Sequence, residues 1–97
     1  MANELADLDF IITADGDYDF DFPSNLIDIV AGGTWDGATV SVRQVSALDE
    51  NVAPEYAGGE KTDDFTIIVK AASNRRGRIN VSGAGGSTNL SFDVAGA

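Results

Sequence analysis

Ninety-seven residues make one domain, with sixteen Asp and Glu against six Lys and Arg, a formal net charge of −10 and neither histidine nor cysteine. Disulfides, thiolate or imidazole metal sites, and cysteine or histidine nucleophile–base chemistry are therefore excluded. The 43% apolar fraction is that of a globular chain rather than a disordered one.

The charge is unevenly spread. Residues 1–42 hold nine acids and no basic residue, whereas 43–97 hold seven acids and all six basic residues. Binding a phosphate backbone needs clustered Lys and Arg, so neither nucleic acid nor an anionic membrane is expected as a partner. No apolar run approaches the roughly 18–20 residues of a membrane span. Met1–Asp7 has no basic start and no apolar stretch, which predicts synthesis in the cytoplasm and release, if any, within something larger.

Alternation with period two dominates the chain. Leu8, Phe10 and Ile12 alternate with more polar neighbours, and residues 1–7 before them read as an N-terminal arm. After the turn pair Asp15-Gly16, Asp17, Asp19 and Asp21 interleave with Tyr18, Phe20 and Phe22. A strand puts the carboxylates on one face and the aromatics on the other, and the carboxylate face reads as solvated. Pro23-Ser24-Asn25 ends this run.

Leu26–Trp35 and Ala38–Val45 flank Asp36-Gly37, a strong hairpin signal. A two-residue loop would pair Trp35 with Ala38, Gly33 with Val40, Ala31 with Val42 and Ile29 with Gln44. It would bring Arg43 diagonally near Asp28. Residues 46–63 form a long loop with no sustained period. Phe65–Ala71 is a strand, Ser73–Gly77 a turn, and Arg78–Ser82 a short strand. Gly83–Ser87 is a flexible connector, and Leu90, Phe92 and Val94 mark the last strand. Ala95–Ala97 should be loose.

The expected fold is all-β: an antiparallel β-sandwich or small barrel of about seven strands, with Greek-key connections as one way to order them. It forms a single domain over residues 8–94.

Few residues could carry chemistry. The Asp15–Asp21 carboxylates lack the glycine and the bidentate glutamate of a calcium-binding loop, since Phe20 and Leu26 stand at those positions. Asp63-Asp64, Asp49-Glu50 and Glu55 with Glu60 could in principle do acid–base work, but a chain this small has little room for a cleft between them. No phosphate-binding loop occurs, and serines lack a histidine base. The chain reads as non-enzymatic, with no cofactor and no metal.

Asn74-Arg75-Arg76-Gly77-Arg78 is the one basic cluster. Arg75, Arg76 and Arg78 could clamp Asp17, Asp19 and Asp21 of a neighbouring copy or a partner. Trp35 and Tyr56 are the aromatic candidates for stacking on a sugar, Trp35 equally serving as a cap on the core.

The segment Gly32-Gly33-Thr34-Trp35-Asp36-Gly37-Ala38-Thr39-Val40-Ser41-Val42-Arg43-Gln44, with Asp15-Gly16-Asp17-Tyr18 before it, resembles a hairpin of small virion proteins of tailed bacteriophages. The resemblance implies a capsid decoration (cement) protein, head fibre or tail-associated module, usually oligomeric and often trimeric, with no catalytic residues. Its partners would be the major capsid protein or other virion proteins. Its place would be the virion, after synthesis in the host cytoplasm. A carbohydrate- or receptor-binding module of a fibre or tail, using Trp35 and Tyr56, is the alternative.

Overall fold

The computed structural model describes residues 3–4, 9–46, 48–49, 51–56, 59–70 and 76–96. Among them are eight strands and no helix: β1 (Asn3–Glu4), β2 (Asp9–Ile12), β3 (Gly16–Asp21), β4 (Leu26–Thr34), β5 (Thr39–Val45), β6 (Phe65–Lys70), β7 (Arg76–Ser82) and β8 (Asn89–Gly96). They build two four-stranded sheets, ordered β1-β3-β7-β5 and β2-β8-β4-β6. Seven strands pair antiparallel, and the two-residue β1 lies parallel to Tyr18 and Asp19 of β3. The result is the all-β sandwich that the alternation predicts.

Odd-numbered strands all lie in one sheet and even-numbered strands in the other. Each connection therefore crosses between sheets, and this overturns the hairpin expected at Asp36-Gly37. The turn itself is as expected. Ala38 N–H donates to the Trp35 carbonyl at 2.9 Å, and Asp36 and Gly37 have φ of 45° and 86°, both positive as in a type I′ turn. The strands it joins do not pair. Ile29, Ala31 and Gly33 stand opposite Val94, Phe92 and Leu90, while Val40, Val42 and Gln44 stand opposite Val81, Ile79 and Gly77. Both edges of β4 are taken, by β6 and β8, so β5 has no place beside it. The same separation puts Arg43 beside Arg78 and Asp28 between Ile68 and Ala95, in different sheets, so the expected Arg43–Asp28 neighbourhood does not exist.

The core lies between the sheets. Phe20, Ile79, Val81, Val40 and Val42 enter from the odd sheet, and Ile12, Leu90, Phe92, Val94, Ile27, Ile29 and Ala31 from the even one. Phe10 stacks on Phe92 with ring centres 5.3 Å apart, and Phe20 meets Phe22 edge-on at 5.6 Å. Gly77 makes room for that cluster. A Cβ there would lie 2.7 Å from Phe20 Cε1 and 2.8 Å from Phe22 Cε1.

The long segment read as a structureless loop instead runs back along β5. Val40 and Lys61 exchange backbone bonds of 2.8 and 2.7 Å, Tyr56 N–H donates to the Val42 carbonyl, and Gln44 N–H to that of Pro54. These bonds cover an edge that would otherwise be free to pair. The glycine-rich connector is likewise held. Ala84 N–H donates to Asp15 Oδ1 at 2.7 Å, and Ser87 N–H to Asp36 Oδ2 at 2.8 Å. Ala95 and Gly96, expected to be loose, pair with Asp28 and Ile27. Arg76 and Gly77, expected in a turn, open β7. Residues 73–75 of that turn, and the arm residues 1, 2 and 5–7, lie outside the described residues.

Candidate interaction surfaces

The outward face of the odd sheet carries the acidic residues of β3 beside the basic residues of β7, because the register aligns Asp17 with Asn80, Asp19 with Arg78 and Asp21 with Arg76. Arg78 donates from Nε to Asp19 Oδ1 at 2.7 Å and from Nη2 to Asp19 Oδ2 at 3.0 Å, a bidentate pair. Both residues are buried, Asp19 to 2% exposure and Arg78 to 8%. Asn80 Nδ2 donates to Asp17 Oδ1 at 2.6 Å, and Arg76 Nε to Asp21 Oδ1 at 3.2 Å at the exposed end. The expected solvated carboxylate face is therefore a cross-strand ladder within one chain. Alternation alone gives which face a side chain takes, and the neighbouring strand decides whether that face meets water.

Of the six residues proposed to clamp a partner, the structure thus brings Asp17, Asp19, Asp21, Arg76 and Arg78 together, and Arg75 lies outside the described residues. The ladder continues sideways. Arg43, beside Arg78 on β5, donates to Ser41 Oγ, to the Ala53 carbonyl and to Glu55 Oε1 at 3.0, 3.0 and 2.9 Å. Glu55 thus pairs with Arg43 on β5 as Asp19 pairs with Arg78 on β7.

Trp35 and Tyr56 lie apart, and each spends its polar atom inside the chain. Trp35 Nε1–H donates to Asp64 Oδ1 at 2.8 Å, and its ring centre is 6.3 Å from that of Phe65. The same Asp64 oxygen accepts from Gly33 N–H at 3.2 Å and fills the space left by the missing side chain of Gly32. Tyr56 Oη lies 3.0 Å from Gln44 Oε1 and 3.2 Å from the Lys70 carbonyl, joining β5 to β6. Burial raises the Tyr56 phenol above its usual 10.0. Both aromatics pack against the core.

The outward face of the even sheet is different. Four apolar side chains stand on it in the open: Ile11 at 63% exposure, Ile68 at 64%, Val30 at 44% and Leu26 at 41%. The register sets out its rows. Ile11, Ser91 and Gly32 form one, then Asp9, Asp93, Val30 and Thr66, then Ala95, Asp28 and Ile68, then Leu26 and Lys70. The small residues Ser91 and Gly32 leave a groove of ≈ 640 Å³, with Asp9, Ile11, Val30 and Asp93 among its lining residues. Asp9 and Asp93 face each other across β2 and β8. A hydrogen bond to Asp93, with its negative charge, lifts the Asp9 carboxyl above its usual 3.8. Asp28 Oδ1 is buried with no hydrogen-bond partner among the described residues.

Sequence reasoning missed this face. Ile11, Val30 and Ile68 break the polar half of the alternation, and that was its available signal. The Asp64–Trp35 clamp was missed as well, because nothing in the spacing marks one acid among several. Among the described residues, no group of three or more carboxylates is placed to hold a metal ion. Comparison of the chain with protein-family models, curated proteins and solved structures finds no match.

Proposed function

We propose that the chain is a non-enzymatic assembly module, a structural protein of a phage particle that docks on the capsid or a neighbouring virion protein through the outward face of its even sheet. One observation carries this reading: Ile11, Val30, Ile68 and Leu26 stand exposed together on a pleated surface. A solvated antiparallel face is ordinarily polar, and large apolar side chains gathered in the open on one such face mark a contact surface. The acids and bases that could have done chemistry or clamped a partner are largely engaged with one another in the odd sheet. The particle itself comes from the resemblance of residues 32–44 to small virion proteins, a likeness of sequence and turn only, since the two strands of that segment lie in different sheets here. The glycan-binding alternative ranks second, because Trp35 and Tyr56 are tied into the sandwich by their polar atoms.

The test is quantitative mass spectrometry of purified particles, followed by reconstitution with the Val30→Lys/Ile68→Lys double variant. The reading predicts tens to hundreds of copies per particle, and a folded variant by circular dichroism that no longer co-sediments. Absence of the chain from the particles, or undiminished attachment of the variant, would overturn it.

A further inference from the structure

The apolar face is also acidic, and that combination narrows what it can receive. Asp9 and Asp93 stand directly opposite each other at one side of the groove, close enough to hydrogen-bond. Two carboxylates so placed repel unless a proton or a cation lies between them. The one basic residue on this face among the described residues, Lys70, stands beside Leu26, two rows from Asp93. The rise along the strand and the two strand spacings between β6 and β8 put it about 16 Å away, too far to neutralise the pair. One row away, Asp28 keeps a buried carboxylate oxygen without a donor among the described residues. Native proteins rarely leave such an acceptor unfilled. The apolar side chains and the acids alternate within one surface: Ile11 and Val30 adjoin the Asp9–Asp93 pair, and Ile68 adjoins Asp28.

We propose that the groove over Ser91 and Gly32 receives a lysine or arginine side chain from an extended segment of the partner protein, with the aliphatic stem against Ile11 and Val30 and the cationic head between Asp9 and Asp93. This rests on the reading of the even sheet as the docking face and adds the chemistry of the partner. A long basic side chain is amphipathic in the way the groove is, with an apolar stem and a charged tip. A guanidinium also matches two carboxylates with its fork of donors. Alternate residues of an extended segment repeat every two residues, as the rows do, so a second donor falls beside Asp28 when the first lies at Asp93. The net charge of −10 favours a basic partner over a second copy of this chain.

The probe is the peptide acetyl-Val-Arg-Val-Arg-Val-amide, titrated into the full chain and followed by amide NMR shifts. The proposal predicts saturable shifts confined to Ile11, Asp28, Val30, Gly32, Ile68, Ser91 and Asp93. It predicts at least tenfold weaker binding of the same peptide with citrulline for arginine, and of the arginine peptide to the Asp9→Asn/Asp93→Asn variant. The variant removes a like-charge contact, so its fold is retained, and its unliganded spectrum checks this. Equal binding of the citrulline peptide, shifts that map to Asp21 and Arg76 instead, or calcium saturating the same amides while the peptide leaves them unmoved would each overturn it. Particle attachment separates the two readings. If Val30→Lys/Ile68→Lys detaches while Asp9→Asn/Asp93→Asn attaches as wild type, the docking face stands and the basic partner falls. If both attach normally, both readings fall.

Discussion

The Asp19–Arg78 pair gives the sharpest stability prediction. Its two hydrogen bonds, 2.7 and 3.0 Å, lie between residues at 2% and 8% exposure, so solvent screens the pair little. Asp19→Asn takes away the charge that compensates a buried guanidinium, while Arg43 on the adjacent strand adds a like charge. Breaking a buried pair from one side costs about 3–5 kcal/mol. A domain of this size has a total stability of only about 5–10 kcal/mol, so half of it would go. With a urea slope of about 1 kcal/mol per molar, the midpoint should fall by about 3 M or more. The single tryptophan, Trp35, reports the transition by fluorescence. The double replacement Asp19→Leu/Arg78→Met should recover most of the loss, because an apolar pair of similar volume carries no desolvation cost. If Asp19→Asn costs under about 1 kcal/mol, the figure for an exposed pair, the ladder is solvated and the reasoning fails.

Three further outcomes follow from single sites. Gly77→Ala drives a methyl into the Phe20–Phe22 contact and should cost about 1–3 kcal/mol by urea denaturation, whereas Gly86→Ala, with open space around it, should change stability by under about 1 kcal/mol. Asp93→Asn relieves the contact that raises the Asp9 carboxyl. The wild-type pair contributes stability below pH 3.8 and loses it as pH rises through the lifted value, so the variant should be the more stable at pH 7 and the difference should vanish in thermal scans below pH 4. Trp35→Phe keeps an aromatic but smaller ring and loses the bond to Asp64, and should lower stability by about 1 kcal/mol or more as read by circular dichroism.

The strands were legible because alternation is a local property. Phe20 beside Asp19 and Asp21, or Phe92 beside Ser91 and Asp93, declares both strand and face without reference to anything distant. Pairing is not local. Asp36-Gly37 fixes a reversal of the chain, but whether the strands it joins become neighbours depends on what else claims the edges of β4. The claimants, Phe65–Lys70 and Asn89–Gly96, lie 34 to 69 residues from the β4 residues they pair with. The solvation of a face escapes local reading in the same way. Asp19 and Asp93 sit in similar alternating runs, yet one is buried against Arg78 and the other faces Asp9, because β7 supplies a base where β2 supplies an acid. The candidate clamp residues other than Arg75 share one face, and the fold closes most of that group on itself.

The docking of the even sheet's outward face is the claim on which the functional account depends, and side-chain footprinting tests it most directly. Hydroxyl-radical labelling of Ile11, Val30 and Ile68 should be strong in the isolated chain, where all three are exposed, and should drop several-fold in the assembled particle. Leu48, fully exposed on the segment after β5, serves as the reference and should label alike in both. Undiminished labelling of Ile11, Val30 and Ile68 on particles that carry the chain would contradict the account.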